Sequence, residues 1–408
     1  MLRAGFAKTD ITPGRECGLI GYEFRQEELP SGNAGVHDPL YARALVLHDG
    51  GEPAALVSLD LCVLETPLAR ELRAAVAAKL KVGPERVCVC CTHTHSGPFP
   101  RSAGARRRER RSRRAASRSR RQPARAFMDA LRAGEAYTAF LREQLVAAAS
   151  QANGLLYPVR VSAQQAPLGL GYNRRVRTKE GVKHCWNPQE FPDRPPGPAP
   201  DPTCTVVLLR QENGPRSYLL WSVGAHPVTL GKTSRVVSAD YPGLACALLE
   251  EELPGCRPMF FLGAAGDVHP WVATQEDPGQ VRWAARAAAA FVALLSQATF
   301  GSDDQALRIA ARTCRIGRNE LDLAVWRLGP ARLAFAPVEL FSELSSDLRR
   351  RVGAPLLMAT CSNGWHGYFP TRAACAEGGY EVRGSWNFRP GDGERLVEEL
   401  AGLATRGS

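Results

Sequence analysis

Apolar residues along this chain fall into short runs closed by glycine or proline, and these runs alternate with longer stretches of helix-forming residues. A short apolar run between turn signals predicts a buried strand. On that pattern Gly5 to Pro13 is a short strand closed by a turn. Tyr41–Leu47 and Ala54–Leu59 form a hairpin around Gly50-Gly51. Residues 67–81 open on proline, continue in helix formers and end on lysine, which predicts a helix. Val87–Cys91 is the next strand, 127–152 a helix and Leu155–Ala166 a strand. Residues 17–36, and the polar stretch from 176 onward, are predicted as loops. The run Phe191 to Pro202 is too proline-rich for helix or central strand.

The second half repeats the rhythm. Strands are predicted at Thr205–Arg210, Ser217–Val223 and Pro258–Leu262, with helices at Tyr241–Leu253 and 279–297. Leu307–Ile316 and Leu321–Leu328 pair as a hairpin, followed by a strand at Ala331–Ala336, a helix at 341–352 and a strand at Pro355–Thr360. A terminal helix covers Glu394 to Leu403. This alternation predicts an α/β fold, mixed sheets flanked by helices, as a single domain over 1–408. Ligands in such folds bind where strand ends converge.

The polar residues at those strand ends carry the candidate chemistry: Asp60, His93, His226, Asp267, Glu339 and Tyr368. Thr92-His93-Thr94-His95-Ser96-Gly97-Pro98 directly follows a strand. In extended chain, residues i and i+2 point the same way, so His93 and His95 are either paired metal ligands or a ligand with an acid/base. They are equally readable as a surface pair in a turn. Each partner has its plainer reading too: His226 as a capped core histidine, Glu339 as the cap of the helix after it, Tyr368 and Tyr380 as packed aromatics, Arg174 as a surface ion-pair residue. Asp60 and Asp267 also read as turn formers.

Charge changes the picture in one place. Arg101 to Arg125 holds twelve arginines and one acid, Glu109, so this segment accounts for the whole net charge of +11 and the rest of the chain is about neutral. Lacking large apolar residues, it predicts a disordered insert. Clustered arginines suit phosphates, but no aromatic residue is interleaved to stack on bases, so nucleic acid is the weaker partner expectation. The chain opens without an apolar leader and has no long apolar run, so a chain without membrane span, signal peptide or disulfide framework is expected, in the cytoplasm, with its 12 cysteines reduced and residues such as Cys88 and Cys246 serving as small core side chains.

Taken together, Gly5…Asp10-Ile-Thr-Pro13, the Thr92–Pro98 block, Asn173-Arg174, Ala225-His226-Pro227, Gly266-Asp267-Val-His-Pro270, Glu339, Tyr368 and Tyr380-Glu381 resemble, in order, the catalytic domain of the neutral/alkaline non-lysosomal ceramidase family. The resemblance implies a ceramidase-like fold and a zinc ion held by His93, His226, Glu339 and Tyr368. It also implies that His95 either supports the metal ligands from behind or faces the substrate, and that Arg174 and Tyr380 lie near the scissile amide. Two imidazoles and a carboxylate form a common catalytic zinc set, and zinc lowers the pKa of its water towards about 7. The expected activity is hydrolysis of an amide bond, with an oxyanion donor in Tyr380 or His95 and a proton for the amine from His95.

The chain departs from the family in two ways. The family's Gly-Asp-x-Ser-Pro serine is replaced by His269, which can serve as acid, base or further ligand. The chain also stops soon after Tyr380, so the family's immunoglobulin-like C-terminal domain is not expected. A soluble amide or acyl derivative is therefore expected in place of ceramide. Ester or lactone hydrolysis or acyl transfer at the same metal site is the alternative, and a non-catalytic nucleic-acid binder the third reading.

Overall fold

A computed structural model describes residues 1–22, 32–101, 124–191, 199–297, 303–382 and 388–406, with the backbone alone for 124–132 and 406. The insert expected between Arg101 and Arg125 lies almost wholly outside the described residues, as do residues 23–31 and 192–198 of two predicted loops.

In chain order the first elements are β1 (Arg3–Asp10), β2 (Tyr41–His48), β3 (Ala54–Leu59), α1 (Thr66–Leu80), β4 (Val87–Cys91), α2 (Ala124–Asn153) and β5 (Tyr157–Pro167). They are followed by β6 (Gly171–Asn173), β7 (Arg175–Thr178), β8 (Gly181–His184), β9 (Thr203–Gln211), β10 (Ser217–Val223), α3 (Asp240–Glu252), β11 (Cys256–Leu262), β12 (Val268–Pro270) and α4 (Gly279–Ser296). The last third contains β13 (Leu307–Ile316), β14 (Asn319–Leu328), β15 (Ala331–Phe335), β16 (Glu339–Leu340), α5 (Ser342–Val352), β17 (Leu356–Ala359), β18 (Tyr368–Phe369), α6 (Arg372–Glu377) and α7 (Asp392–Arg406).

Local chemistry explains these elements where the pattern is strong. Helix α1 starts with proline in its first turn, buries Leu68, Leu72, Val76 and Leu80 along one stripe, and ends at Lys81 in the left-handed conformation, whose N–H returns to Ala77 and Ala78 carbonyls. β2 and β3 pair antiparallel as predicted. One expectation fails: the stretch after Arg174 is not loop. β7 and β8 form a hairpin across Thr178 to Gly181, with Val176 and Val182 buried.

The strands build two large sheets. One has eight strands in the order β11-β10-β9-β5-β1-β2-β3-β4, the other four in the order β13-β14-β15-β17. Both are mixed: β3–β4, β10–β11 and β15–β17 run parallel. Residues alternate between the faces of the eight-stranded sheet. Ala44, Val46, Val57 and Val89 point to a core shared with α1, α2, α3 and α4. Leu45, Leu47, Leu56 and Phe261 point to a second core shared with Trp326, Leu333 and Phe335 of the smaller sheet. The outer face of that smaller sheet is covered by α5 and α7 through Leu344, Leu348, Leu396 and Leu400. The result is four layers, helix–sheet–sheet–helix.

The eight-stranded sheet consists of two halves joined by a short β1–β5 pairing of two residues each. Its opposite edges return to one another: Ser58 Oγ on β3 donates to the Phe260 carbonyl on β11 at 2.7 Å. The segment after β17 ties the edges further, with Thr360 N donating to Leu262 O at 2.8 Å and Cys91 N donating to Cys361 O at 3.1 Å. The carboxyl ends of β4, β10 and β11, distant in sequence, therefore open at one place. Among the described residues no helix is long and apolar enough to cross a membrane.

Candidate metal centre

His93 follows β4. Thr92 N and His93 N donate to the Leu59 and Leu61 carbonyls, so the chain folds over the end of β3. This corrects the extended-chain argument for the pair: His93 has φ +71°, in the left-handed region, and the two side chains are not related by strand periodicity. Their rings still converge, with centroids 4.8 Å apart, because the loop is anchored from behind. Thr94 Oγ1 donates to Ser238 O at 2.7 Å, and Ser238 Oγ donates to Asp38 Oδ2 at 2.5 Å.

His226 follows β10 and is fully buried. Glu339 opens β16, whose parallel pairing with β18 sets Glu339 beside Tyr368. One ligand atom each from His93, His226 and Glu339 lies within 4.8 Å of the others. His93 Nδ1 faces the Cys62 carbonyl at 2.9 Å and His226 Nδ1 the Ala265 carbonyl at 2.5 Å. A carbonyl only accepts, so each neutral ring carries its proton on Nδ1 and presents a bare Nε2. Those nitrogens face Glu339 Oε2 at 3.5 and 3.2 Å. Three acceptors around one point repel unless a cation lies between them. Tetrahedral zinc with bonds of about 2.0–2.1 Å puts its donor atoms roughly 3.4 Å apart, so spacing and donor chemistry both fit.

The surroundings hold this set. Trp365 Nε1 donates to Glu339 Oε1 at 2.8 Å, which leaves Oε2 for the histidines. Burial alone would raise the Glu339 carboxyl; positive charge on the side of His93 and His226, which a cation bound between them would supply in its turn, holds it well below its ordinary range. Burial and the Arg174 guanidinium pull His226 down to about 4. Glu339 does not cap α5. That role falls to Asp267, whose Oδ1 accepts from Ser342 N at 2.8 Å and Oδ2 from Ser342 Oγ at 3.1 Å. Asp60 also stays out of the centre; it is buried against Arg43, with Nη1 donating to Oδ2 at 2.7 Å.

Arg174 and His269 are brought opposite each other by β6 and β12, in which Asn173 pairs with Val268 and Tyr172 with His269. The Arg174 guanidinium is buried and spends its donors on Glu381 Oε1 at 2.9 Å, His269 Nε2 at 3.0 Å and the Tyr368 hydroxyl oxygen at 3.1 Å. Burial, then the neighbouring charge of Arg174, hold His269 well below the ordinary histidine value. Burial and the Glu339 carboxylate push the Tyr368 phenol well above its own. His95 Nε2 lies 3.3 Å from His93 Nε2, and Tyr380 is 43% exposed at the mouth, its ring 5.9 Å from that of Tyr368.

These groups border one cavity of about 530 Å³, lined in part by His95, Arg174, His269, Tyr368 and Tyr380. The structure therefore brings all eight predicted site residues to one region: three around a shared point and five around the cavity above it. Sequence reasoning missed Tyr22, His184 and Trp186, which also line the cavity, and the support Trp365; it named Glu381 without its role of holding Arg174. His184 and Trp186 sit at the end of the β7–β8 hairpin. Its signal was present as Gly181 in a turn between two short alternating segments.

No protein-family model and no curated protein sequence matches the chain. Solved structures do. The crystal structure of neutral ceramidase from Pseudomonas aeruginosa is similar over 99% of this chain and 74% of that one, with a TM-score of 0.71 and 19% identity. The chain has the ceramidase fold. A second structure, of a ceramidase complexed with C2, is similar over the same shares with a TM-score of 0.73 and 18% identity. The ceramidase fold explains why residues so far apart in sequence meet at one cavity.

Proposed function

We propose that this protein is a zinc-dependent hydrolase of an amide bond in a small molecule. The observation that carries the reading is the convergence of His93 Nε2, His226 Nε2 and a Glu339 oxygen beneath a cavity in the ceramidase fold. His93, His226 and Glu339 hold the ion, and Tyr368, paired beside Glu339, is the candidate for a further ligand. When bound, zinc acidifies its water and polarises a carbonyl.

The protein's own groups then divide the work. His95 reaches the centre through Nε2 and borders the cavity, so it is the group that moves a proton to the departing amine. Tyr380, at the mouth, donates its hydroxyl to the substrate carbonyl oxygen. Arg174 keeps its charge throughout and fixes Tyr368 and His269 in one orientation. His269 accepts from Arg174 and is kept neutral by burial and by that neighbouring charge, so its part is to shape the floor and hold Arg174; it does not deliver a proton as imidazolium.

The test is metal analysis with activity. Wild-type protein should carry about one zinc per chain and hydrolyse an N-acyl amide in a broad panel that includes matched esters. His93→Ala should lose both metal and amidase activity. Metal-free wild-type protein with full amidase activity would end the proposal.

A further inference from the structure

The cavity above the candidate centre has an unusual lining. Among the described residues fourteen line it; seven of these carry rings, and Val228 is the aliphatic contribution. A saturated acyl chain is best served by leucine, isoleucine, valine and methionine walls. Rings instead present flat π faces with polarised edges, which reward another ring in stacked or edge-on contact.

The rings are organised around Trp186. His184 stacks on it at 4.3 Å with an interplanar angle of 17°, and His269 lies 4.4 Å away at 32°. The two imidazoles are 4.9 Å apart. The three separations form a nearly equilateral triangle. Imidazoles on opposite faces of the indole would stand almost twice that far apart, so both lie on the same face. Tyr380 meets the edge of His184 at 5.3 Å, and Tyr22 lies 6.1 Å from Trp186. The assembly is pinned at its base: Arg174 Nη1 donates to His269 Nε2, and Tyr172 Oη donates to the Trp186 carbonyl at 2.9 Å. The cluster is therefore held rigid at one side of the cavity. The residue that replaces the family's serine, His269, is fully buried and backs this wall from behind.

We propose that the cavity wall formed by Trp186 and His184 seats a planar aromatic ring of the substrate, so that this protein cleaves ring-bearing amides in preference to alkyl ones. The inference rests on the amide-hydrolase reading and specifies its substrate class. The ring enters the cavity, its amide reaches the centre beside His95, and Tyr22 and Tyr380 flank it. The step is hydrolysis: the C–N bond breaks, water supplies hydroxyl to the acyl carbon and a proton to the nitrogen, and a carboxylic acid and an amine leave.

The zinc-loaded full chain is assayed with N-phenylacetyl, N-hexanoyl and N-dodecanoyl derivatives of one amine and with an N-acetylated amino sugar. The expected result is a kcat/KM at least tenfold higher for the phenylacetyl amide. In Trp186→Ala that preference should collapse, through KM more than kcat, and Trp186→Phe should restore most of it. Direct binding of phenylacetate and hexanoate to wild-type protein, followed by calorimetry, is the readout that needs no turnover or variant. Tighter phenylacetate binding supports the ring site even if no amide is cleaved, an outcome that would sink only the hydrolase reading. Equal binding of the two acids, or a preference for the dodecanoyl amide or the amino sugar, overturns the inference.

Discussion

Trp365→Phe isolates the candidate metal centre from the chemistry. Trp365 Nε1 donates to Glu339 Oε1 at 2.8 Å while Oε2 of the same carboxylate faces His93 and His226. Phenylalanine keeps a ring in the site and removes this donor. A hydrogen bond to a charged group contributes about 1.5–3 kcal/mol. At roughly 1.4 kcal/mol per tenfold, that is about ten- to a hundredfold in zinc affinity, the span usual for loss of a hydrogen bond to a metal ligand. The assay is competition for zinc against a chromophoric chelator at fixed pH, with no substrate present. Thermal unfolding of the metal-free forms reports any packing loss separately. An affinity within twofold of wild type would refute the reasoning, because Glu339 would then not be a ligand held by Trp365.

Two further outcomes follow from the geometry. Gly21 has φ +120°, and a Cβ there would stand 2.5 Å from His95 Cγ, so Gly21→Ala should displace that ring. It should lower kcat on the order of a hundredfold and stability by about 1–3 kcal/mol while zinc stoichiometry holds; an unchanged kcat would remove His95 from the reaction. Asp240 is raised from 3.8 to about 6 by burial, so its contribution to stability is greatest below pH 4 and is lost as pH rises through 6. Asp240→Asn lacks that dependence. Measured by denaturant unfolding, its stability relative to wild type should rise by about 3 kcal/mol between about pH 4 and pH 7, and a flat difference would contradict the burial argument.

The elements legible from sequence are those whose own side chains decide them. Ala54–Leu59, Val87–Cys91, Ser217–Val223 and the helix from Thr66 announce themselves because an apolar run or stripe needs no distant partner to be recognised. The two-residue strands at Glu339 and Tyr368 do not, since they exist only through pairing with each other across the intervening chain, and the β7–β8 hairpin, though local, is too short and polar for its run to stand out. The candidate ligands were readable as types because histidine and glutamate at strand ends suit a cation. Their mutual arrangement was not: His93 converges on its partners through a left-handed backbone that no periodicity encodes.

By itself, then, the sequence determined the alternation of strands and helices, the neutral body around one basic segment, and the residue types able to bind a metal, because these depend on local composition and spacing. Tertiary structure alone decided that the opposite edges of an eight-stranded sheet return to each other, joined by Ser58 to Phe260 and by the chain at Thr360 and Cys361. It also decided that Trp186, His184 and His269 pack as one cluster, because close approach between segments tens of residues apart is set by packing and hydrogen bonds across the whole fold.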